Sequence, residues 1–136
     1  MKGCMNLDEI DRRIVNKLKE NSRVTWKNLG KEIHLTGQAI GARVERLIEE
    51  KQIKKFTVDV AYQHTEFITV YMDTQEYQAF ENKMVSHPNV ESVHKISGDG
   101  CYLLIAHFSP EEMDLFFKKL LTFGRYKVNV SLNQLK

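Results

Sequence analysis

The stretch that decides the fold of the first half is TWKNLGKEIHLTGQAIGARVERLIEE, residues 25–50. Its apolar residues recur every three or four positions, which is the period of an amphipathic helix. Thr25 and Thr36 are the predicted N-caps of two short helices, and only a brief turn at His34-Leu35 separates them. The two predicted helices are Trp26–Ile33 and Gly37–Glu50. Their spacing predicts a helix-turn-helix.

A longer helix precedes this motif, with Asp8 as its predicted N-cap and Asp11 in its first turn, where a negative charge suits the helix dipole. Its apolar positions are Leu7, Ile10, Ile14 and Leu18. Those of the last helix are Ile40, Val44, Leu47 and Ile48. We therefore predict a three-helix domain of the winged helix-turn-helix type over residues 1–52, followed by an extended connector over residues 53–65.

A helix-turn-helix places its second helix in the major groove of DNA while the first helix braces it across the backbone. Gln38 can pair with adenine, and Arg43 or Arg46 can contact guanine or phosphate. The candidate DNA-binding residues are Arg23, Lys27, Lys31, Thr36, Gln38, Ala39, Gly41, Arg43 and Arg46. The same pattern also fits a plain three-helix bundle with a solvated face, and the pattern by itself favours neither interpretation.

The first half of the chain is basic and the second half is acidic. Residues 1–60 contain 13 Lys and Arg against 9 Asp and Glu, whereas residues 61–136 contain 7 against 9. An excess of positive charge indicates which partners a surface attracts, and here it favours nucleic acid as the partner of the first half.

The overall composition is that of a globular cytoplasmic protein, with 42% hydrophobic and 28% charged residues. No apolar run approaches the roughly 20 residues that span a bilayer, so we expect no membrane contact. The start, Met1 to Met5, lacks the apolar core of a signal peptide. Two cysteines, Cys4 and Cys101, are too few for a disulfide framework.

Beyond residue 65 the pattern changes to strands that alternate with helices. The predicted elements are strand Phe67–Asp73, a helix from Tyr77 to His87, strands Val90–Ile96 and Tyr102–Phe108, a helix from Pro110 to Gly124, and a strand through Val128, Val130 and Leu132. Ser109, Pro110 and Glu112 supply the N-cap, N1 and N3 residues of a helix start. This β-α-β-β-α-β order is that of ferredoxin-like αβ sandwiches. We therefore predict such a domain over residues 66–136 and an α+β protein.

The chain resembles the Lrp/AsnC, or feast/famine, transcriptional regulators over nearly its whole length. The segments that carry the resemblance are Leu7-Asp8-Glu9-Ile10-Asp11, Asn21-Ser22-Arg23-Val24-Thr25, Arg43-Val44-Glu45-Arg46-Leu47, Ile53-Lys54-Lys55-Phe56 and Gly98-Asp99-Gly100-Cys101-Tyr102-Leu103. The resemblance implies a homodimer built through the sheet of the second domain and assembled further into tetramers or octamers. It also implies that paired helix-turn-helix units bind double-stranded DNA, which would make the protein nucleoid-associated.

The resemblance further implies an amino acid or another small effector, bound between dimers at the family's Gly-Asp-x-Asp-Tyr-Leu turn. The candidate effector-binding residues are Ser97, Gly98, Asp99, Gly100, Cys101 and Tyr102. Cys101 stands where the family has its second Asp, and a thiol is a weak partner for an α-ammonium group. We therefore expect a weak response to amino acids. Lys51 stands where the family usually has a helix-ending Gly.

Other functions leave fewer traces in the sequence. The five histidines have no metal-ligand spacing, and there is no phosphate loop or Ser/His/Asp spacing, so we predict no metal, no cofactor and no catalytic residue. Sirohaem decarboxylase subunits resemble the same two-domain arrangement, and they would need His94, Lys95 and His107 to line a tetrapyrrole pocket. A DNA-architectural protein without an effector and a ligand-sensing dimer that binds no DNA are further alternatives.

Overall fold

The computed structural model describes residues 7–136, so the features noted at Met1 to Met5, including Cys4, lie outside the described residues. The chain divides at Asp59–Val60 into two compact units, which we call the N-terminal and the C-terminal unit. Within the described residues, no helix is long and apolar enough to cross a membrane.

The N-terminal unit consists of three helices, α1 (Glu9–Glu20), α2 (Trp26–Ile33) and α3 (Gly37–Glu49). Each helix begins behind its predicted cap. The side chains of Asp8, Thr25 and Thr36 each accept a hydrogen bond from the backbone N–H three residues later, at 2.8, 3.1 and 3.1 Å. These bonds satisfy one of the N–H groups that a helix start leaves without a partner. All three predicted helix starts are confirmed.

The apolar stripes of the three helices meet in one core. Its buried members are Ile14, Leu18, Leu29, Ile33, Ile40 and Val44. The prediction that Ile48 belongs to this stripe is wrong, because its side chain is 43% exposed. At 3.6 residues per turn, Ile48 lies about 100° around the helix from the buried Leu47, at the margin of the stripe.

The turn between α2 and α3 is tight because Gly30 lets two backbone segments approach. A Cβ atom at Gly30 would lie 2.3 Å from the carbonyl oxygen of Leu35. His34 ends α2 in the left-handed region, with φ 65°, and its backbone N–H donates to the carbonyl of Gly30. This close approach seats α3 directly against α2.

After α3 the chain turns at Lys51, whose φ of 58° is left-handed. This conformation is expected at a position where the resembled family usually has a helix-ending glycine. The backbone N–H groups of Gln52 and Ile53 both donate to the carbonyl of Leu47, at 2.8 and 3.0 Å. The helix-turn-helix has no β-strand wing after α3, because residues 51–65 contain no strand. The winged part of the prediction is therefore wrong. Among the described residues, no strand lies beside this segment to pair with it.

The C-terminal unit is an antiparallel four-stranded sheet with two helices, and the predicted β-α-β-β-α-β order is confirmed. Its elements are β1 (Glu66–Met72), α4 (Tyr77–Val85), β2 (Val90–Lys95), β3 (Tyr102–Ala106), α5 (Pro110–Leu120) and β4 (Gly124–Val130). The strand order across the sheet is β2-β3-β1-β4. The predicted start of α5 is confirmed, because Ser109 and Glu112 form a reciprocal capping box ahead of Pro110.

Gly124 is a correction to the predicted end of the second helix. α5 ends at Leu120, and Gly124 instead begins β4. A Cβ atom at Gly124 would lie 2.0 Å from the carbonyl oxygen of Tyr71, so a glycine is needed where β4 meets β1. Leu132, predicted in the last strand, lies beyond the end of β4 and is 99% exposed.

The two faces of the sheet differ in what covers them. One face packs against α4 and α5 in a core that includes Ile68, Val70, Phe80, Leu104, Phe116 and Leu120. The opposite face, which we call the open face, carries Phe67, Leu103 and Ile105. Phe67 stands opposite Ile105 in the pairing of β1 with β3, and successive side chains of a strand point to opposite faces. Phe67 is 39% exposed. The open face therefore has an apolar strip where β1 pairs with β3, and Lys127 and Asn129 of β4 border this strip.

Candidate nucleic-acid interface and effector turn

The exposed cations of the helix-turn-helix lie on α2 and on the turn before it. Lys27 and Lys31 are one helical turn apart on α2, which places them on the same side of that helix. Arg23 is exposed in the preceding turn. Within residues 7–136, none of the three lies within 4.0 Å of a carboxylate. They are therefore available for phosphate contacts.

Arg43 and Arg46 of α3 bind instead to Asp11 of α1 and to Asp8, the N-cap of α1. The Arg43 Nη1 atom lies 2.9 Å from Asp8 Oδ2 and 3.0 Å from Asp11 Oδ1. The Arg46 Nη2 atom lies 2.5 Å from Asp11 Oδ2. The Asp11 side chain is only 4% exposed. These contacts, which we call the α1–α3 brace, hold α3 against α1.

The brace changes the acidity of the groups that form it. The pKa of Asp8 is below its usual value because the backbone N–H of Asp11 and then the Arg43 guanidinium hydrogen-bond to the carboxylate. Hydrogen bonds to Asp8 and Asp11 raise the pKa of Arg43. Direct DNA contact by Arg43 and Arg46 stays a prediction, and the structure assigns both a bracing role. No sequence pattern indicates Asp11 as their partner, because it lies 32 and 35 residues away along the chain.

The remaining predicted residues lie around the start of α3. The Thr36 hydroxyl is engaged as the helix cap, and Ala39, whose N–H it accepts, is half-buried. A Cβ atom at Gly41 would lie 3.3 Å from Cδ1 of Trp26, so Gly41 lies against the indole of α2. Gln38 is exposed. Of these four, Gln38 has the side chain that can offer a donor and an acceptor to a base edge.

The predicted effector turn of the C-terminal unit is anchored by the backbone. Gly98 and Gly100 have φ values of 104° and 105°, which disfavour other residues. The N–H of Cys101 donates to the carbonyl of Val70 at 2.8 Å, and the Cys101 carbonyl accepts from Ile96 at 3.0 Å. The turn therefore presents Asp99 at a defined place beside β1.

Asp99 meets residues of two strands that the sequence analysis did not single out. Tyr71 donates its hydroxyl to Asp99 Oδ2 at 2.9 Å, and Lys127 Nζ lies 3.4 Å from the same oxygen. These two contacts, Tyr71 first, lower the pKa of Asp99. Arg125, which stands opposite Tyr71 in the β1–β4 pairing, lies 5.5 Å from the Tyr71 ring centroid. Successive side chains of a strand alternate between its faces, so Arg125 and Lys127 of β4 lie on one face. This alternation is the feature of the sequence from which the two residues could have been predicted.

An open cleft of about 780 Å³ lies beside Asp99. Its lining residues are Tyr71, Asp99, Leu121, Arg125, Tyr126 and Lys127. Of the six predicted effector residues, Asp99 is the one that lines this cleft. Ser97 and Gly98 are exposed in the turn nearby, and Gly100 and Cys101 are half-buried.

Tyr102 differs from the other predicted effector residues. Its side chain is 3% exposed and belongs to the core under α4. Its hydroxyl donates to Glu81 Oε1 at 2.6 Å, and Lys95 Nζ lies 2.9 Å from the same oxygen. Burial, followed by the contact with Glu81, raises the pKa of Tyr102 to about 12. The prediction that Tyr102 faces an effector is not supported by this position.

The structure does not bring together the three residues that a tetrapyrrole pocket would need. His94 stands opposite Leu103, whereas His107 follows the other end of β3. His107 Nδ1 lies 2.9 Å from the His64 carbonyl oxygen, and Lys95 binds Glu81 as described. Among residues 7–136, no group of three or more His, Cys, Asp or Glu side chains is placed to hold a metal ion.

The fold and the site together define a class of protein: a helix-turn-helix DNA-binding unit joined to a ferredoxin-like αβ unit. Residues 7–48 match the profile of the AsnC-type helix-turn-helix domain, and residues 65–136 match that of the Lrp/AsnC ligand binding domain. The chain belongs to the Lrp/AsnC family of transcriptional regulators. The predicted family, fold class and regulatory function are thereby confirmed.

Curated relatives and a solved structure agree with this assignment. The chain is 35% identical to the HTH-type transcriptional regulator LrpA of Bacillus subtilis, with 94% of this chain and 99% of LrpA covered. It is 30% identical to LrpB of the same organism, with 97% of this chain and 93% of LrpB covered. The solved structure of B. subtilis LrpC superposes with a TM-score of 0.87 at 26% identity, covering 97% of this chain and 99% of that one.

Proposed function

We propose that the protein is a sequence-specific regulator that binds double-stranded DNA as a homodimer in the cytoplasm, associated with the nucleoid. The observation that carries this proposal is the arrangement around α3. The exposed amide of Gln38 projects from the start of a helix that the α1–α3 brace holds in place, and Lys27 and Lys31 lie free on the neighbouring helix. Base reading and phosphate binding thus fall to different residues.

The test of this function separates those two roles. Gln38→Ala is expected to weaken binding to the best operator by ~1–3 kcal/mol while leaving a scrambled duplex nearly unaffected, because it removes a base contact. Lys27→Ala is expected to weaken both duplexes alike and to reduce the salt slope by about one unit, since phosphate contacts act by counterion release. Titrations of each variant against both duplexes at several salt concentrations measure this. Equal losses for Gln38→Ala on the two duplexes would instead support a DNA-architectural protein.

The homodimer in this proposal is supported by the open face of the sheet. Phe67, Leu103 and Ile105 form an apolar surface, and such surfaces on a small protein mark sites of association. A second copy supplies the same apolar strip around a two-fold axis, which makes the contact self-complementary. Assembly into tetramers or octamers would be built from such dimers.

We further propose that a small anionic or zwitterionic metabolite modulates the regulator at the cleft beside Asp99. Arg125 and Lys127 supply positive charge there and Asp99 supplies negative charge, so both ends of a zwitterion find a partner. Because residue 101 is a cysteine, Asp99 is the one carboxylate of the turn that an α-ammonium group can contact.

The substitution Cys101→Asp tests the effector proposal. Cys101 is partly buried against the core and does not line the cleft. A carboxylate at this position is expected to strengthen amino-acid binding several-fold by adding negative charge beside Asp99, which attracts the α-ammonium group. Cys101→Ser is the matched control, since it keeps the size of the side chain and adds no charge. Calorimetric titration with the common amino acids measures both variants. Tight binding of one of these amino acids to the unmodified protein would contradict the expectation.

A further inference from the structure

The outward face of α3 carries an acidic stripe that the DNA-binding proposal has not used. The exposed residues Gln38, Ala42, Glu45 and Glu49 follow one another at intervals of four, three and four positions. Such intervals place side chains above one another on a single face of a helix. This outward stripe lies opposite the buried Ile40, Val44 and Leu47. It is therefore the part of α3 that would enter a groove.

The outward stripe has no cation of its own. Both arginines of α3 are engaged in the α1–α3 brace with Asp8 and Asp11. In the described part of the chain, Glu45 has no cationic group within 4.0 Å. A carboxylate is negatively charged, so phosphate repels it. It can only accept hydrogen bonds, so it gains from DNA only where it meets an amino group. In the major groove, a cytosine N4 amino group is the donor that pairs with Asp or Glu.

We propose that Glu45 is a specificity-determining residue, which accepts a hydrogen bond from the N4 amino group of a cytosine in each half-site. The inference rests on the proposed function, in which α3 occupies the major groove. Gln38 and Glu45 are seven residues apart, or about 10 Å along the helix axis. That distance corresponds to about three base-pair steps when the helix lies along the groove. The operator half-site therefore contains an adenine, read by Gln38, and a cytosine about three base pairs away from it.

Glu45 is chosen over Glu49 because of its place along the helix. In helix-turn-helix proteins the N-terminal part of the recognition helix makes the base contacts, so a residue nearer that end is better placed to reach a base. Glu49 is the last residue of α3 and lies eleven residues, or about 16 Å, from Gln38. Glu49 shares the chemistry and exposure of Glu45 but not its depth in the groove. It is therefore the matched control.

The experiment is a selection from random duplexes with the full-length protein, followed by titration of single-base variants of the enriched site. The unmodified protein is expected to bind the cytosine-containing site roughly tenfold tighter than the site with thymine there, because thymine replaces the N4 donor by an O4 acceptor. Glu45→Gln is expected to bring this ratio close to one, since an amide can donate to O4. Glu49→Gln is expected to leave the ratio unchanged, and both variants are isosteric changes at exposed positions.

Two outcomes overturn the inference while the proposed function stands. One is an enriched site in which Glu45→Gln keeps the full preference for cytosine. The other is a gain in affinity for every duplex, scrambled ones included, which identifies Glu45 as a solvated acid that repels phosphates. If the unmodified protein enriches no site at all, sequence-specific binding fails together with this inference.

Discussion

At the scale of single residues, the buried hydroxyl of Tyr102 shows how a polar group is kept in the core. Its bond to Glu81 is shared with Lys95, so the carboxylate accepts from a neutral donor and a charged donor at once. A buried hydroxyl without such a partner would be costly. The same burial and the same neighbour account for the raised pKa of Tyr102, since the tyrosinate would lie in an apolar site next to a negative charge.

Tyr102 therefore makes stability depend on alkaline pH. The folded state raises the pKa of Tyr102 from its ordinary value of 10.0 to about 12, so its contribution to stability is complete below pH 10 and is lost as pH rises through 12. We expect Tyr102→Phe to lower the free energy of unfolding by about 1 kcal/mol at neutral pH. We also expect the variant to lose less stability than the unmodified protein between pH 9 and pH 11, because it has no hydroxyl to ionise. Urea unfolding at both pH values measures it. Tyr77→Phe, at an exposed position, is the control, and an unchanged pH dependence in Tyr102→Phe would contradict the assignment.

At the scale of elements, the α1–α3 brace fixes the position of α3 against α1. α1 and α3 are not consecutive, and their contact combines the apolar core with a buried carboxylate that binds two arginines. Removing one member of such a group leaves the others without their partner, which costs more than the pair contributes. Arg43 and Arg46 are partly exposed, so solvent moderates that cost.

We expect Asp11→Asn to destabilise the N-terminal unit by about 2 kcal/mol, because two guanidinium groups lose their shared carboxylate. Trp26 is the only tryptophan of the chain and lies in α2, so its fluorescence during urea unfolding reports on this unit. Glu9→Gln is the control, since Glu9 is exposed on the same helix and its contact with Arg12 is 4.0 Å long. Equal stability of the two variants would show that the brace contributes nothing.

At the scale of the whole molecule, the proposed homodimer depends on the open face of the sheet. We expect Phe67→Glu to dissociate the dimer at micromolar concentration, because it places a charge in an apolar contact that excludes water. Phe67→Leu keeps the surface apolar and is expected to remain dimeric. Sedimentation of the full-length variants measures this. Leu132→Glu adds the same charge at an exposed position beyond β4, and its dissociation alongside Phe67→Glu would argue against this face as the specific interface.

The sequence determined the local structure of this protein with considerable accuracy. The caps Asp8, Thr25, Thr36 and Ser109 were all identified from their residue types, and the order of strands and helices followed from the period of the apolar residues. These features depend on hydrogen bonds between residues three positions apart and on which face of an element is apolar. Both depend on residues that are close together along the chain, so a single sequence is enough to predict them.

Only the tertiary structure decided which side chains meet across elements. Asp11 reaches arginines 32 and 35 residues away, and Asp99 is reached by Tyr71 and Lys127, each 28 residues distant. Gly124 likewise fits β4 rather than the end of α5 because of its approach to Tyr71. No periodicity encodes such contacts, since they depend on how packed elements are placed in space. The positive charges of Arg43 and Arg46 can be identified from the sequence, but which carboxylates bind them is determined only by the tertiary structure.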